Sequence, residues 1–309
     1  MGGAGLDLYA YPPGTRTEDA LMFSAALGGS AANIAAGIAR LGGDVDLITA
    51  VSDDAVGRYT LNELKKFGIG TQDILTVRGE ARNSLVVVET RIQNYQSVIY
   101  RNGAADFQID KAHIQSIPYT DYNTLIITGT CLALEPSRSA KFLAIELAKK
   151  AALKIVIDVD YRPYSWMSST EAATIYAKAA ARCDTFIGND VEFAVMANGD
   201  GLAYAKSLSR NNDKIIVYKM DEKGSISFWN KTEFRTSILP VAALKPTGAG
   251  DPFMAAFMMR HESKLSLQSC VSRGSAAAPI DATRIGCAPA MPTEIELQNF
   301  MVTHAHSTL

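Results

Sequence analysis

The chain has 309 residues, 48% of them hydrophobic and 20% charged, with a net charge of −2. That composition suits a globular fold and lacks the basic excess of a nucleic-acid binder. No apolar run reaches the roughly 20 residues of a membrane-spanning helix. The four cysteines, Cys131, Cys183, Cys270 and Cys287, are too far apart for a zinc site or a disulfide framework. A cytoplasmic protein with reduced thiols, no nucleic-acid partner and no membrane association is the expectation.

In chain order, Met1–Asp7 supplies only the last residues of what a first core strand would hold. Ser30–Leu41 is predicted to be a helix, with Ala31, Ile34, Ala35, Ile38 and Leu41 at helical spacing. A strand over Asp44–Val51 and a helix over Ala55–Phe67, closed by Gly68, follow. Ser84–Arg91 and Gln96–Arg101 are β-rich runs about a polar turn at Ile92–Tyr95, which predicts a hairpin. Strands over Thr124–Thr128, Lys154–Val159, Thr185–Ile187 and Lys214–Tyr218 alternate with helices over Ser137–Ala151, Thr170–Ala181 and Leu202–Ser209. The last third is helical over Gly248–His261, Leu265–Ala278 and Thr293–Thr303. Alternation with nearly continuous apolar strands predicts an α/β fold, a three-layer sandwich with a mostly parallel central sheet. A single domain over 1–309 is expected, with a small β lid built from segments around 7–22 and 84–104.

Two segments carry chemistry. In Thr247-Gly248-Ala249-Gly250-Asp251, the glycines let the backbone approach a ligand, and the helix start that follows presents unpaired N–H groups to an anion. Asp251 at the mouth of that site can take a proton from an attacking hydroxyl; the alternative is an Asp capping the helix. The Walker pattern G-x-x-x-x-G-K-[ST] is absent, and no G-x-G-x-x-G follows a first strand, which disfavours a dinucleotide oxidoreductase. In Leu27-Gly28-Gly29-Ser30-Ala31-Ala32-Asn33, two glycines open a helix whose early face carries Asn33, an amide able to donate to and accept from sugar hydroxyls.

Together, Gly28–Asn33 and Thr247–Asp251 with Phe253 resemble the two signatures of the ribokinase/PfkB carbohydrate kinases, in the right order and spacing. The resemblance implies a ribokinase-like fold and transfer of the γ-phosphate of ATP, with Mg²⁺, to a sugar hydroxyl. It makes Asp251 the base and Gly248, Ala249 and Gly250 the anion hole. It gives Asp7, Gly28, Gly29 and Asn33 to the sugar, and Asn189, Glu192, Lys219, Gly224 and Thr247 to the nucleotide. Asn189 and Glu192 would organise Mg²⁺, most simply through water; a helix cap is the alternative for Asn189. The family often pairs through its lid, so a homodimer is expected.

Lys245-Pro246 ahead of the second signature, Gly286–Pro292, Arg16–Asp19 and Asp160-Tyr161-Arg162-Pro163-Tyr164 resemble the branch that acts on 5-dehydro-2-deoxygluconate. Kinases of 2-keto-3-deoxygluconate are the nearest alternative. Both substrates are carboxylates, so Arg101 and Arg162 are candidates for the acid group, against a reading as surface arginines. Many members hold a monovalent cation with an Asp where this chain has Lys245, so the resemblance implies weak dependence on K⁺. Asp221 stands where glycine is common, and Pro279 is expected to interrupt a helix. Those two departures, with the late start of the first strand, favour the remaining reading, a weakly catalytic nucleotide- or sugar-binding regulator.

Overall fold

The computed structural model describes residues 1–91, 93–210, 214–245, 248–262 and 265–304. The chain forms two compact units, one of residues 3–105 with the segment from 237 onward, the other of residues 1–2 with 106–236.

The first unit begins with β1 (Gly5–Tyr11) and β2 (Met22–Gly28), which pair antiparallel with Asp7 opposite Ala26. Gly29, at φ +92°, turns the chain from β2 into α1 (Ser30–Arg40). α1 is rich in alanine, which costs no side-chain entropy in a helix, and it buries Ala31, Ala32, Ile34, Ala35, Ala36 and Ile38. β3 (Thr49–Ser52) is shorter than the strand predicted from Asp44: ahead of it, Asp46 makes an isolated bridge to Gly70 and no continuous ladder. α2 (Ala55–Lys66) is capped by Asp54, whose Oδ1 accepts from Val56 N and Gly57 N. β4 (Ile74–Val77) lies parallel to β3. The predicted hairpin is present as β5 (Ser84–Val88) and β6 (Ser97–Tyr100), and β5 also pairs parallel with β1. The result is a four-stranded sheet in the order β2-β1-β5-β6.

The second unit contains α3 (Lys111–Gln115), β7 (Thr124–Thr128), α4 (Ser137–Lys150), β8 (Lys154–Asp158), α5 (Ser169–Ala180) and β9 (Thr185–Asn189). It continues through α6 (Asp190–Ala197), α7 (Gly201–Arg210), β10 (Ile215–Lys219), β11 (Ser225–Trp229) and β12 (Thr232–Thr236). Its sheet runs β12-β11-β10-β9-β8-β7, parallel from β7 to β10 and antiparallel beyond. Ile155, Val156 and Ile157 are fully buried, which requires cover on both faces of the sheet and explains the unbroken apolar run. Met1 lies beside β7: its amine donates to Ile126 O at 2.6 Å, and its carbonyl accepts from Thr128 N at 3.1 Å.

The chain then returns to the first unit as α8 (Gly250–Glu262), α9 (Leu267–Ala282) and α10 (Glu294–His304). α8 crosses α1 closely because Gly37 has no side chain; a Cβ there would lie 2.5 Å from Ala255 Cβ. Gly274 of α9 likewise makes room for the Phe253 ring. Met254 and Met258 are core residues. α9 is not interrupted: Pro279 lies inside it, three residues before its end, and the helix continues although the ring removes the N–H that would bond Ser275 O. Among the described residues, no helix is long and apolar enough to cross a membrane.

Candidate active site

α8 starts one residue before Asp251, so Asp251 stands just inside the helix, in the first turn, whose N–H groups have no partners within the helix. Gly248 enters the turn at φ +96°, a conformation open to glycine at little cost. The Asp251 carboxylate is held from α1: Ser30 Oγ donates to Oδ1 at 2.7 Å, and Asn33 Nδ2 donates to Oδ2 at 2.9 Å. The thiol of Cys287 lies 3.6 Å from Oδ2.

The glycine pair between β2 and α1 has two separate tasks. At Gly29, a Cβ would meet Gly3 O at 2.5 Å on a backbone already at positive φ, so glycine is required for the turn that aims Ser30 and Asn33. At Gly28, a Cβ would fall 1.9 Å from Asp7 Oδ1; the carboxylate of β1 rests on the bare backbone of β2. Asp7 is 8% exposed. Tyr9 OH donates to its Oδ2 at 3.3 Å, while its Oδ1 has no hydrogen-bond partner. Asn33 Oδ1 is also buried and without a partner. Burial pushes the Asp7 carboxyl up to about 7; Tyr9 opposes this, the neighbouring Asp251 charge adds to it, and Lys245 draws it down.

Beneath the glycine turn lies a buried ion pair. Lys245 Nζ donates to Asp281 Oδ2 at 2.5 Å, with both residues almost fully enclosed. A side chain on Gly248 would come within 3.0 Å of Lys245 Nζ and 3.3 Å of Asp281 Oδ2. Burial pushes Asp281 up to about 7; Lys245 opposes that and Asp251 adds to it. Asp251, Asp7, Lys245 and the Asp281–Cys287 region are thus one cluster of three carboxylates, an ammonium and a thiol, all in the first unit.

The second unit gathers the other predicted residues. Asn189 caps α6, its Oδ1 accepting from Glu192 N at 2.9 Å, and Glu192 Oε2 accepts from Asn189 N at 2.7 Å. Glu192 Oε1 accepts from Tyr161 N at 2.8 Å, tying the loop after β8 to the helix. Burial raises the Glu192 carboxyl, and Lys219 and the two backbone donors counter it. Lys219 sits directly opposite Asn189 in the β9–β10 ladder. Gly224, at φ +79°, closes the turn from β10 to β11. Asp221 has φ +45°, which shows why a glycine suits its position; Asp tolerates this conformation, and the residue is exposed. Arg162 is exposed and pairs with Asp160 at 2.8 Å. Arg101 follows β6 in the first unit. Thr247 lies outside the described residues.

Each Glu192 oxygen already accepts a backbone N–H, and Asn189 Oδ1 caps its helix, so this pair suits Mg²⁺ through water and not by direct ligation. Among the described residues, no three His, Cys, Asp or Glu side chains form a metal-binding group. The sequence reading did not single out Ser30, Tyr9, Asp281 or Cys287. A hydroxyl at the first position of α1 was visible, but its partner lies more than 200 residues away.

Residues 2–294 match the model of the pfkB family carbohydrate kinases. Two curated relatives are the 5-dehydro-2-deoxygluconokinases of Photobacterium profundum and Geobacillus kaustophilus. They are 36% and 34% identical, the alignments covering 98% of this chain in each case and 94% and 92% of the relatives. In fold, the chain is similar to the Xylella fastidiosa fructokinase with bound ATP (TM-score 0.86, 20% identity, 98% and 97% coverage). It is also similar to the Vibrio cholerae O395 fructokinase bound to fructose, ADP and calcium ion (TM-score 0.82, 22% identity, 97% and 96% coverage).

Proposed function

The chain belongs to the pfkB family of carbohydrate kinases, and on that premise we propose that it transfers the γ-phosphate of MgATP to a hydroxyl of 5-dehydro-2-deoxygluconate. The observation that carries the mechanism is the setting of Asp251: a carboxylate held from α1 at the mouth of the α8 N-terminus. The acceptor hydroxyl gives its proton to Asp251 while its oxygen bonds to the γ-phosphorus. The bond from that phosphorus to the bridging oxygen of ADP breaks, and ADP leaves with the electron pair. The amides of Gly248, Ala249 and Gly250 meet the charge on the moving phosphoryl group.

The acceptor is read onto Asp7, Gly28, Gly29 and Asn33. Asp7 Oδ1 and Asn33 Oδ1 are buried acceptors without donors, a state that costs about 1–3 kcal/mol each until sugar hydroxyls fill it. Arg101 and Arg162 are the proposed contacts to the acid group. Arg162 would exchange its exposed pair with Asp160 for a substrate carboxylate. Asn189, Glu192, Lys219, Gly224 and Thr247 are proposed for the nucleotide, with Mg²⁺ arriving on ATP and met through water. Lys245 brings a fixed ammonium against Gly248, which supports a weak dependence on K⁺.

The weakly catalytic reading loses two of its three supports. Asp221 is exposed at a position that needs a positive φ, and α9 continues through Pro279. Of the sugar-acid alternatives, the names of the relatives favour 5-dehydro-2-deoxygluconate. We further propose a cytoplasmic homodimer formed through the small sheet. Asp7, Tyr9, Ala26, Val86 and Val88 share one of its faces; the other carries Leu8, Phe23, Val87, Val98 and Tyr100, with Phe23, Val98 and Tyr100 40%, 39% and 60% exposed.

The test is ADP release from MgATP with 5-dehydro-2-deoxygluconate, 2-keto-3-deoxygluconate, fructose, ribose and adenosine, using Asp251→Asn as control. Turnover on the first acid, lost in the control, is expected. Preference for 2-keto-3-deoxygluconate would move the assignment to that kinase. ATP binding without turnover on any acceptor would restore the regulatory reading.

A further inference from the structure

Asp251 shares its surroundings with more negative groups than one ammonium can balance. Asp7 adds its charge from β1 and Asp281 from α9, while Lys245 stands ahead of α8 and the Cys287 thiol, held neutral by burial, lies 3.6 Å from Oδ2. In such a cluster not every carboxylate can be ionised at once, and the base must be one that is. The distribution of donors decides which. Asp281 takes the lysine, and Asp7 has one long bond from Tyr9 and a bare oxygen. Asp251 receives a donor on each oxygen, and the shorter bond, at 2.7 Å, comes from the Ser30 hydroxyl.

Ser30 and Asn33 are not equivalent. The Asn33 amide has an empty acceptor facing the same region, so its contacts are open to rearrangement when a polyhydroxylated acceptor binds. Ser30 is the first residue of α1, fixed by the obligatory turn at Gly29. We propose that Ser30 is a positioning residue for the base: its hydroxyl, donating to Oδ1, fixes the Asp251 rotamer and favours the charged form of that carboxylate. This rests on the reading of Asp251 as the base. A hydroxyl donating to a carboxylate stabilises the charged form, and the bond weakens as Asp251 takes up the proton. Ser30 therefore orients the base and tunes it without touching the reacting atoms.

The experiment compares wild type, Ser30→Ala, Ser30→Thr and Asp251→Asn in steady-state kinetics with MgATP and 5-dehydro-2-deoxygluconate, or the acceptor the panel selects, across the pH range of activity. Ser30→Ala is expected to lower kcat about 10- to 100-fold, with both KM values within about threefold. The acid limb of its kcat profile should move upward by on the order of half a pH unit or more. Ser30→Thr, which keeps a hydroxyl, should return kcat to within about threefold. A wild-type kcat and pH profile in Ser30→Ala would overturn the proposal, as would a loss confined to KM or a Thr variant as impaired as Ala. If Ser30→Ala does not fold, Ser30→Gly removes the same hydroxyl. An active Asp251→Asn would remove the base assignment itself, whereas an inactive Asp251→Asn beside an unaffected Ser30→Ala would remove only the role of Ser30.

Discussion

Asp7 and Gly28 show how one atom would govern the proposed acceptor side of the site. The Asp7 carboxylate occupies the space a methyl group at position 28 would need, so Gly28→Ala must displace it. The expected result is an acceptor KM raised at least about tenfold with the KM for MgATP little changed, since a buried hydrogen-bonding carboxylate is lost from the sugar and not from the nucleotide. Equal KM values for the acceptor would remove Asp7 from substrate binding. Asp251→Asn should cost on the order of 10²–10⁴ in kcat while acceptor binding by calorimetry persists; retained turnover would exclude it as the base. Asp7 also makes stability depend on pH. Its carboxyl titrates near 7 in the folded chain against an ordinary 3.8, so between those values the folded chain holds a proton that the unfolded chain releases. Stability therefore falls as pH rises through that window and levels off above it, by on the order of 2–4 kcal/mol for this group. Denaturant unfolding of Asp7→Asn should show a shallower fall and a more stable protein than wild type at pH 8, at the cost of acceptor affinity. Identical pH slopes would contradict the assigned cause.

At the scale of elements, helix starts do most of the work. α8 presents its first amides and Asp251; α1 presents Ser30 and Asn33; α6 is closed by the reciprocal bonds of Asn189 and Glu192. Asn189 is both a predicted nucleotide residue and the α6 cap, so Asn189→Ala should lower stability by about 1 kcal/mol in addition to any change in the KM for MgATP. A shift in KM with no change in unfolding free energy would argue against the cap. The Lys245–Asp281 pair supports the glycine turn from below, and its ammonium is already in place. Turnover should therefore vary less than about twofold when Na⁺ replaces K⁺ at constant ionic strength; a several-fold rise with K⁺ would overturn the fixed-charge reading. Removing one partner of a buried pair typically costs about 3–5 kcal/mol, so Lys245→Met tests folding before it tests chemistry.

For the whole molecule, the small sheet is the feature with consequences beyond the monomer. Its strands carry Asp7 on one face and exposed apolar side chains on the other, which supports the proposed homodimer. Sedimentation is expected to give twice the 33.2 kDa chain mass, and Phe23→Asp with Tyr100→Asp to give one chain mass. A wild-type monomer would set the dimer aside. Acceptor KM in the double variant then reports whether the partner steadies the sheet that bears Asp7.

The sequence by itself determined the alternation of strands and helices, the family, and the segments at Gly28–Asn33 and Gly248–Asp251. Those signals are local: apolar periodicity and backbone turns that require glycine act over a few residues and can be read in a line. It also marked Asn189 as a cap, because capping is an interaction between residues three apart. Only the tertiary structure decided that Asp251 is held by Ser30, that Asp7 rests on Gly28, and that Lys245 is paired with Asp281. These contacts join residues from 21 to 221 positions apart, set by how β1, β2, α1, α8 and α9 pack, and no periodicity in the chain records them. The same holds for the protonation of the cluster. A carboxylate shows its type in the sequence, whereas its burial and its neighbours' charges exist only once the chain has folded.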